Sequence, residues 1–183
     1  MYTRALQEKV KSKFGTQKAI IIIGPRQSGK TTFCKNILND LSYLHLDADD
    51  PLTRQQLNNP NLQQLKSIVA NNKYIFLDEA QRIPNIGLSL KMIIDHMKDV
   101  QLIVTGSSSF DLNGALNEPL TGRKWEMTML PISWSEFENK HGYLESLQKL
   151  NNRILYGFYP EVLNNQGNER EILSNLTISY LFK

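Results

Sequence analysis

Apolar positions along the chain recur with two different periods, and the switching between them is the first indication of how it folds. Leu6, Val10 and Phe14 are spaced like one face of a helix among Arg4, Glu8, Lys9, Lys11 and Lys13, which predicts a short amphipathic helix ended by Gly15. Residues 18–23 form a continuous, β-branched run, the pattern of a strand covered on both faces in a parallel sheet. A glycine-containing loop leads into helical periodicity over 30–39, and a second strand is expected at 43–47. Asp50-Pro51 suits a helix start, because the aspartate accepts from orphan N–H groups and proline lacks the one N–H that needs no partner. Helices fill 52–70 with a break near Asn59-Pro60, and a third strand covers 74–77. A helix over 86–97 carries Leu90, Ile93, Ile94 and Met97 on one face, and a fourth strand covers 101–105. Alternation at 124–130 predicts a fifth strand. Beyond Pro131 the pattern is helical at 133–139, 143–155 and from 169 onward. Asn-Asn pairs at 58–59, 71–72, 151–152 and 164–165 are read as punctuation between elements.

Strands alternating with helices imply an α/β fold with a parallel sheet. The division expected is a core over 1–131 and a helical extension over 132–183. The last amphipathic stretch, 176–183, is uncapped, so the extension reads as the start of a truncated C-terminal region.

Composition narrows this picture only modestly. Of 183 residues, 40% are hydrophobic and 21% charged, as in an ordinary globular protein. The longest uninterrupted aliphatic stretch, 19–23, is far short of the roughly 20 residues a membrane-spanning helix needs, so no membrane partner is expected. The single cysteine, Cys34, excludes an intrachain disulfide and a cysteine-based zinc site, which fits a cytoplasmic location. A net charge of +3 with interspersed signs does not point to nucleic acid.

The chemistry concentrates in three places. Gly24-Pro25-Arg26-Gln27-Ser28-Gly29-Lys30-Thr31 matches G-x-x-x-x-G-K-[ST] in full, between an expected strand and an expected helix. Glycines at 24 and 29 allow a tight turn whose N–H groups form an anion nest, and the helix N-terminus adds partial positive charge. Lys30 is then the cation for β- and γ-phosphates, Thr31 offers its hydroxyl to Mg²⁺, and Thr32 lies near the α-phosphate. Secondly, the apolar strand Tyr74-Ile75-Phe76-Leu77 delivers Asp78 and Glu79 at its carboxyl end, where open α/β sheets bind ligands. Asp78 is the candidate Mg²⁺ ligand and Glu79 the group that orients or deprotonates water. Thirdly, the strand Leu102-Ile103-Val104-Thr105 ends in Gly106-Ser107-Ser108-Ser109. A hydroxyl there, Ser107 first and Ser108 second, reaches the attacking water or the γ-phosphate if this strand lies between the other two.

Together these motifs resemble the AAA+ and STAND-like branch of P-loop ATPases. The likeness is closer to a prokaryotic family with an AAA domain followed by a C-terminal domain of uncharacterised function. Leu120-Thr121-Gly122-Arg123, Leu130-Pro131-Ile132-Ser133-Trp134-Ser135-Glu136-Phe137 and Gly157-Phe158-Tyr159-Pro160-Glu161-Val162 extend the resemblance over nearly the whole chain. It implies a P-loop NTPase three-layer sandwich, a sheet in the order 5-1-4-3-2, and ATP as the nucleotide.

Arg123 stays open between a cationic finger on the γ-phosphate, in cis or from a neighbouring subunit, and a surface arginine steadying a loop. Arg26 is expected to face solvent and Asp50 to cap a helix. His45 is expected to be a satisfied core histidine. Trp125, Trp134, Phe137, Tyr156, Phe158 and Tyr159 are read as packing for the C-terminal helices.

The function expected is Mg²⁺-dependent hydrolysis of ATP, in a chain able to form a homo-oligomer and to reach a DNA or protein client through a further C-terminal domain. The alternative is a nucleotide-gated switch that binds ATP with little turnover. A small-molecule kinase is disfavoured by the lack of an arginine-rich lid, and a GTPase by the absence of Asn-Lys-x-Asp and Asp-x-x-Gly where they would be needed.

Overall fold

The computed structural model describes residues 1–107 and 119–181, with side chains described as far as Ile178. Two compact units make up the chain: Leu6–Arg26 with Lys30–Met129, and Met1–Ala5 with Gln27–Gly29 and Leu130–Lys183.

The first unit is α/β. In chain order it contains α1 (Leu6–Lys11), β1 (Ala19–Ile23), α2 (Lys30–Ile37), β2 (Tyr43–Asp47), α3 (Pro51–Leu57), α4 (Leu62–Val69), β3 (Tyr74–Asp78), a 3₁₀ turn (Ala80–Arg82), α5 (Ile86–His96), β4 (Gln101–Gly106) and β5 (Lys124–Thr128). The strands are all parallel, in the order β2-β3-β4-β1-β5. This is the order expected from the resemblance, read from the opposite edge.

The uninterrupted aliphatic run of β1 follows from its central place. Ile20 and Ile22 join Phe76, Ile103 and Met127 in a cluster with Phe33, Cys34, Ile37 and Leu38 from α2 and its exit. Ala19, Ile21 and Ile23 join Ile75, Leu77, Leu102 and Val104 in a second cluster with residues of α3, α4 and α5. Successive residues therefore enter opposite layers, and a fully buried aliphatic side chain of this size contributes about 1.5–3 kcal/mol.

Local chemistry sets the helix ends. Asp50 accepts from Leu52 N at 3.1 Å with Pro51 in the first turn, and Asn61 with Gln64 forms a capping box, so α3 and α4 separate across Asn59-Pro60 as expected. The acidic turn at 47–50 is occupied by capping and pairing: Asp47 accepts from Asp49 N at 2.8 Å, and Asp49 pairs with Arg82.

The second unit holds α6 (Trp134–His141), α7 (Tyr143–Gln148), α8 (Leu150–Tyr156), α9 (Pro160–Asn164) and α10 (Glu169–Leu181). The single helix expected over 143–155 is two helices, which part at Lys149, whose N–H is shared among three carbonyls. Asn151 and Asn152 lie inside α8 rather than in a loop. The short α9, which the apolar pattern did not predict, begins with Pro160 at a position where proline needs no N–H partner. Tyr2, Ile132, Phe137 and Leu163 form its core, with Trp134 and Phe158 packed against it.

Arg4 and Glu136 anchor this unit. Arg4 Nε lies 3.2 Å from both Glu136 carboxylate oxygens, and the same carboxylate accepts from Ala5 N at 2.7 Å and Ser133 N at 2.9 Å. Burial pushes the Glu136 carboxyl up, but the Ser133 and Ala5 amides and the Arg4 guanidinium outweigh it and hold it below the usual glutamate range.

Two predictions follow from these contacts. A Cβ on Gly24 would overlap the backbone oxygen of Met129, which cannot rotate away. Gly24→Ala should therefore lose about 1–3 kcal/mol in urea unfolding, the range for overpacking. An unchanged midpoint would show that the backbone yields there. Glu136 titrates lower folded than unfolded, so its stabilisation is present above the unfolded pKa of about 4.3 and is lost as pH falls through the lower folded value. The stability gap between wild type and Glu136→Gln should be widest near neutrality and shrink in that acid range; a gap independent of pH would contradict the depressed titration.

Candidate functional site

Parallel pairing brings the carboxyl ends of β1, β3 and β4 to one edge, with β4 between the other two. Register places Ile23 opposite Gly106 and Leu77 opposite Val104, so the segments that follow all three strands emerge together. Lys30, Asp78, Glu79 and Ser107 are set at this edge by those strands and by the start of α2.

Lys30 is 4% exposed, and its ammonium donates to Gly24 O at 3.0 Å and Pro25 O at 2.8 Å. Burial lowers its pKa, while the Glu79 and Asp78 carboxylates oppose that fall. Arg26, expected to face solvent, is half-buried and near enough for its charge to disfavour protonation of Lys30. Pro25 and Thr31 are half-buried, while Gln27 and Thr32 are exposed. Gln27 and Gly29 have φ of 59° and 91°, the positive values that let successive N–H groups converge.

Asp78 is 5% exposed and accepts a short hydrogen bond from the Thr105 hydroxyl. That hydroxyl in turn accepts from Glu79 N at 3.1 Å, so one side chain on β4 fixes both acidic residues. Glu79 itself has left-handed backbone (φ 52°, ψ 41°), which is uncommon outside glycine. The turn sends Gln81 back over the strand ends, where its amide donates to Glu79 Oε2 and, at 2.9 Å, to Ser107 Oγ. Ser107 N donates to Gln81 Oε1 at 3.3 Å. Ser108, the second candidate at this tip, lies outside the described residues.

Arg123 is not brought to this edge. It precedes β5, its carbonyl accepts from Ala19 N at 2.9 Å at the start of β1, and its Nε donates to Asp95 Oδ1 at 2.7 Å near the end of α5. The cis-finger reading is therefore corrected: in a parallel sheet the amino end of β5 lies beside the amino end of β1, with Ala19 opposite Lys124, at the far end of the strand from the P-loop. Its guanidinium holds the Asp95 carboxyl below the usual range.

His45 is not a satisfied core histidine. It is half-buried and stacked on Phe76 at 4.9 Å, and its buried Nε2 has no partner among the described residues. Burial lowers its pKa, with the Lys35 charge acting in the same direction. Trp125 packs within the α/β unit, with Lys13 and Lys18 ammonium groups 4.5 and 4.8 Å from its ring.

Three residues with evident work were given none by the sequence reading. Thr105 stands inside a recognised strand motif and Gln81 two residues past the acidic pair, but only the register and the left-handed turn reveal their contacts. Arg4 read as a polar helix-face residue, yet it is buried and its Nη1 donates to Ser28 O at 3.1 Å. Ser28 is fully buried, and its hydroxyl has no partner among the described residues.

The donor set fits a nucleotide and a hard cation. Among the described residues the buried Lys30 ammonium is held by carbonyls of its own loop, and such an ammonium is a donor suited to phosphate oxygens. The Asp78 carboxylate and the Thr31 hydroxyl are oxygen ligands of the kind Mg²⁺ takes.

Fold and site together define a P-loop NTPase. The AAA domain family matches residues 16–138, and the chain belongs to it. An uncharacterised protein of Mycobacterium tuberculosis is 32% identical over 105 residues, covering 57% of this chain and 23% of that protein. An uncharacterised protein of Methanocaldococcus jannaschii is 26% identical over 189 residues, covering 93% of this chain and 42% of its own length. The chain thus spans 23% to 42% of the length of these curated relatives. A Walker-type ATPase of Pyrococcus abyssi shares the fold with a TM-score of 0.66 at 14% identity, over 96% of this chain and 71% of its own. Among the described residues no helix is long and apolar enough to cross a membrane.

The Thr105 bridge makes a further prediction. Thr105→Val keeps the shape but strands the Glu79 N–H and removes the Asp78 donor, so it should cost about 1–3 kcal/mol. Thr105→Ser should restore most of the loss in the same denaturation measurement. Equal stability of the valine variant and wild type would mean that the bridge contributes nothing.

Proposed function

We propose that the chain binds ATP with Mg²⁺ and hydrolyses it to ADP and phosphate. The observation that carries this reading is the arrangement of Lys30, Asp78, Glu79 and Ser107 at one sheet edge, with β4 between the strands bearing the P-loop and the acidic pair.

The phosphates lie along the segment from Gly24 to Thr32, with Pro25, Arg26, Gln27, Ser28 and Gly29 supplying its turn. Lys30 exchanges two carbonyl acceptors for β- and γ-phosphate oxygens, a stronger charge-assisted pairing. Thr31 and Asp78 are the residues that would hold Mg²⁺, which would supply charge neutralisation at the phosphates. Glu79 takes up or orients the proton of the attacking water, and Ser107 donates to the γ-phosphate. Arg123 has a place in this scheme only from a neighbouring subunit.

We retain residues 1–131 as the ATPase core and 132–183 as a helical extension leading toward a further region. The greater length of the relatives favours a second reading, in which ATP occupancy signals to that region or to a DNA or protein client. A cytoplasmic location and a homo-oligomer accord with this scheme.

Lys30→Ala should abolish saturable ATP binding, because no other group replaces the buried ammonium. Glu79→Gln should bind ATP normally yet release phosphate slower by about 10²–10⁴-fold, the usual range for a lost general base. Undiminished turnover in Glu79→Gln would remove Glu79 from the chemistry, and tight binding without turnover in wild type would favour the switch.

A further inference from the structure

We infer that Gln81 is a positioning residue that yokes the Glu79 carboxylate to the Ser107 hydroxyl, so that contact of phosphate with Ser107 is transmitted to the group that handles water. The inference rests on the roles given above to Glu79 and Ser107, and deepens them.

The geometry is specific to a carboxamide. One Gln81 N–H donates to Glu79 Oε2 and the other to Ser107 Oγ at 2.9 Å, while the amide oxygen accepts from Ser107 N at 3.3 Å. Two donors and an acceptor in one plane are what a side-chain amide offers. The opposite amide orientation would set its oxygen against a carboxylate, which only accepts, so the hydrogen-bonding pattern fixes the orientation. Glutamate at this position would lose both donors and add a second negative charge. Leucine would fill similar space without any of the three bonds.

The backbone is committed to the same contact. Glu79 takes a left-handed conformation, and the 3₁₀ turn Ala80–Arg82 follows at once, reversing the chain so that Gln81 reaches a residue 26 positions away. A non-glycine residue in that region costs energy and persists where surrounding contacts hold it; here the Thr105 hydroxyl accepts from its N–H.

Direction matters as well. Ser107 Oγ accepts from Gln81, which leaves the Ser107 O–H to donate outward. A phosphate oxygen accepting that proton would complete a chain of aligned donors, from the Gln81 amide through Ser107 to phosphate, in which each bond polarises the next. The second N–H of the same amide steadies Glu79. Occupancy at Ser107 and orientation at Glu79 are thus joined through a single planar group.

The test uses the full chain and a double-mutant cycle. Gln81→Leu should lower kcat for ATP by an order of magnitude or more, with ATP affinity unchanged and a cooperative thermal transition retained. In the slow Glu79→Gln background the same substitution should have little further effect, since the group it positions is already altered. An unaltered kcat, a loss that tracks affinity, or a loss of equal size in both backgrounds would overturn the inference. A second measurement does not depend on turnover: the side-chain amide resonance of Gln81 in the ¹⁵N–¹H spectrum of the nucleotide-free chain. Ser107→Ala and Glu79→Gln should each move it, and ATP should move it in wild type but not in Ser107→Ala. A resonance indifferent to both substitutions would show that the bridge is absent. Absence of turnover in wild type with an intact amide response would instead reject hydrolysis and leave the yoke standing.

Discussion

Everything at the site depends on a constraint of parallel pairing: strands that run the same way must finish at the same edge. β1, β3 and β4 are neighbours in the order β3-β4-β1, so the P-loop, the acidic pair and the serine tip are delivered together without any long excursion of the chain. The pairing is held by apolar layers on both faces. The burial of Ile20 to Ile23 that stabilises the fold is thus the same burial that sets the position of Gly24 and Lys30. The glycine is required there by proximity, since the Met129 carbonyl occupies the space a Cβ would need.

Polar groups at this edge are largely satisfied by one another, which gives the site a defined geometry without ligand. The Thr105 hydroxyl serves Asp78 and Glu79, the Gln81 amide serves Glu79 and Ser107, and Lys30 is held by two carbonyls. Burial lowers the proton affinity of the Lys30 ammonium, and the Glu79 and Asp78 carboxylates oppose that fall. The negative charge of a phosphate would act in the same direction as those carboxylates. Within the helical unit the same logic governs Arg4, which spends its donors on Glu136 and on the Ser28, Leu130 and Pro131 carbonyls.

Much of this was legible in the sequence because the patterns were local. The β-branched run of β1, the Asp50-Pro51 helix start, the break at Asn59-Pro60 and the G-x-x-x-x-G-K-T string each carry their structure within a few residues. The strand order came from resemblance, since no spacing encodes which strand lies beside which. The helical region was harder: α7 and α8 share one continuous apolar pattern and part only at the Lys149 carbonyl contacts. The roles of Thr105, Gln81 and Arg4 were hidden for a stronger reason. Thr105 meets Glu79 and Gln81 meets Ser107 across 26 positions, and Arg4 meets Ser28 across 24, contacts that no local pattern displays.

The placement of Arg123 bears on where positive charge at the phosphates comes from. Between it and the P-loop lies the length of β1, five residues or roughly 16 Å at about 3.3 Å each. No side chain spans that distance through a packed sheet, so a role on this chain's own nucleotide would require β5 to be rebuilt. The α/β unit already holds two nearer cations, Lys30 and a half-buried Arg26 close enough to perturb it. Two carboxylates stand against them, and Asp78 is the one suited to a metal. On the proposed reading, the electrostatic balance for a triphosphate and one divalent ion would be assembled from residues flanking β1 and β3. The half-buried Arg123–Asp95 pair sits at the other end of the strands, so its charge is spent on Asp95 rather than at the edge that carries Lys30 and Asp78.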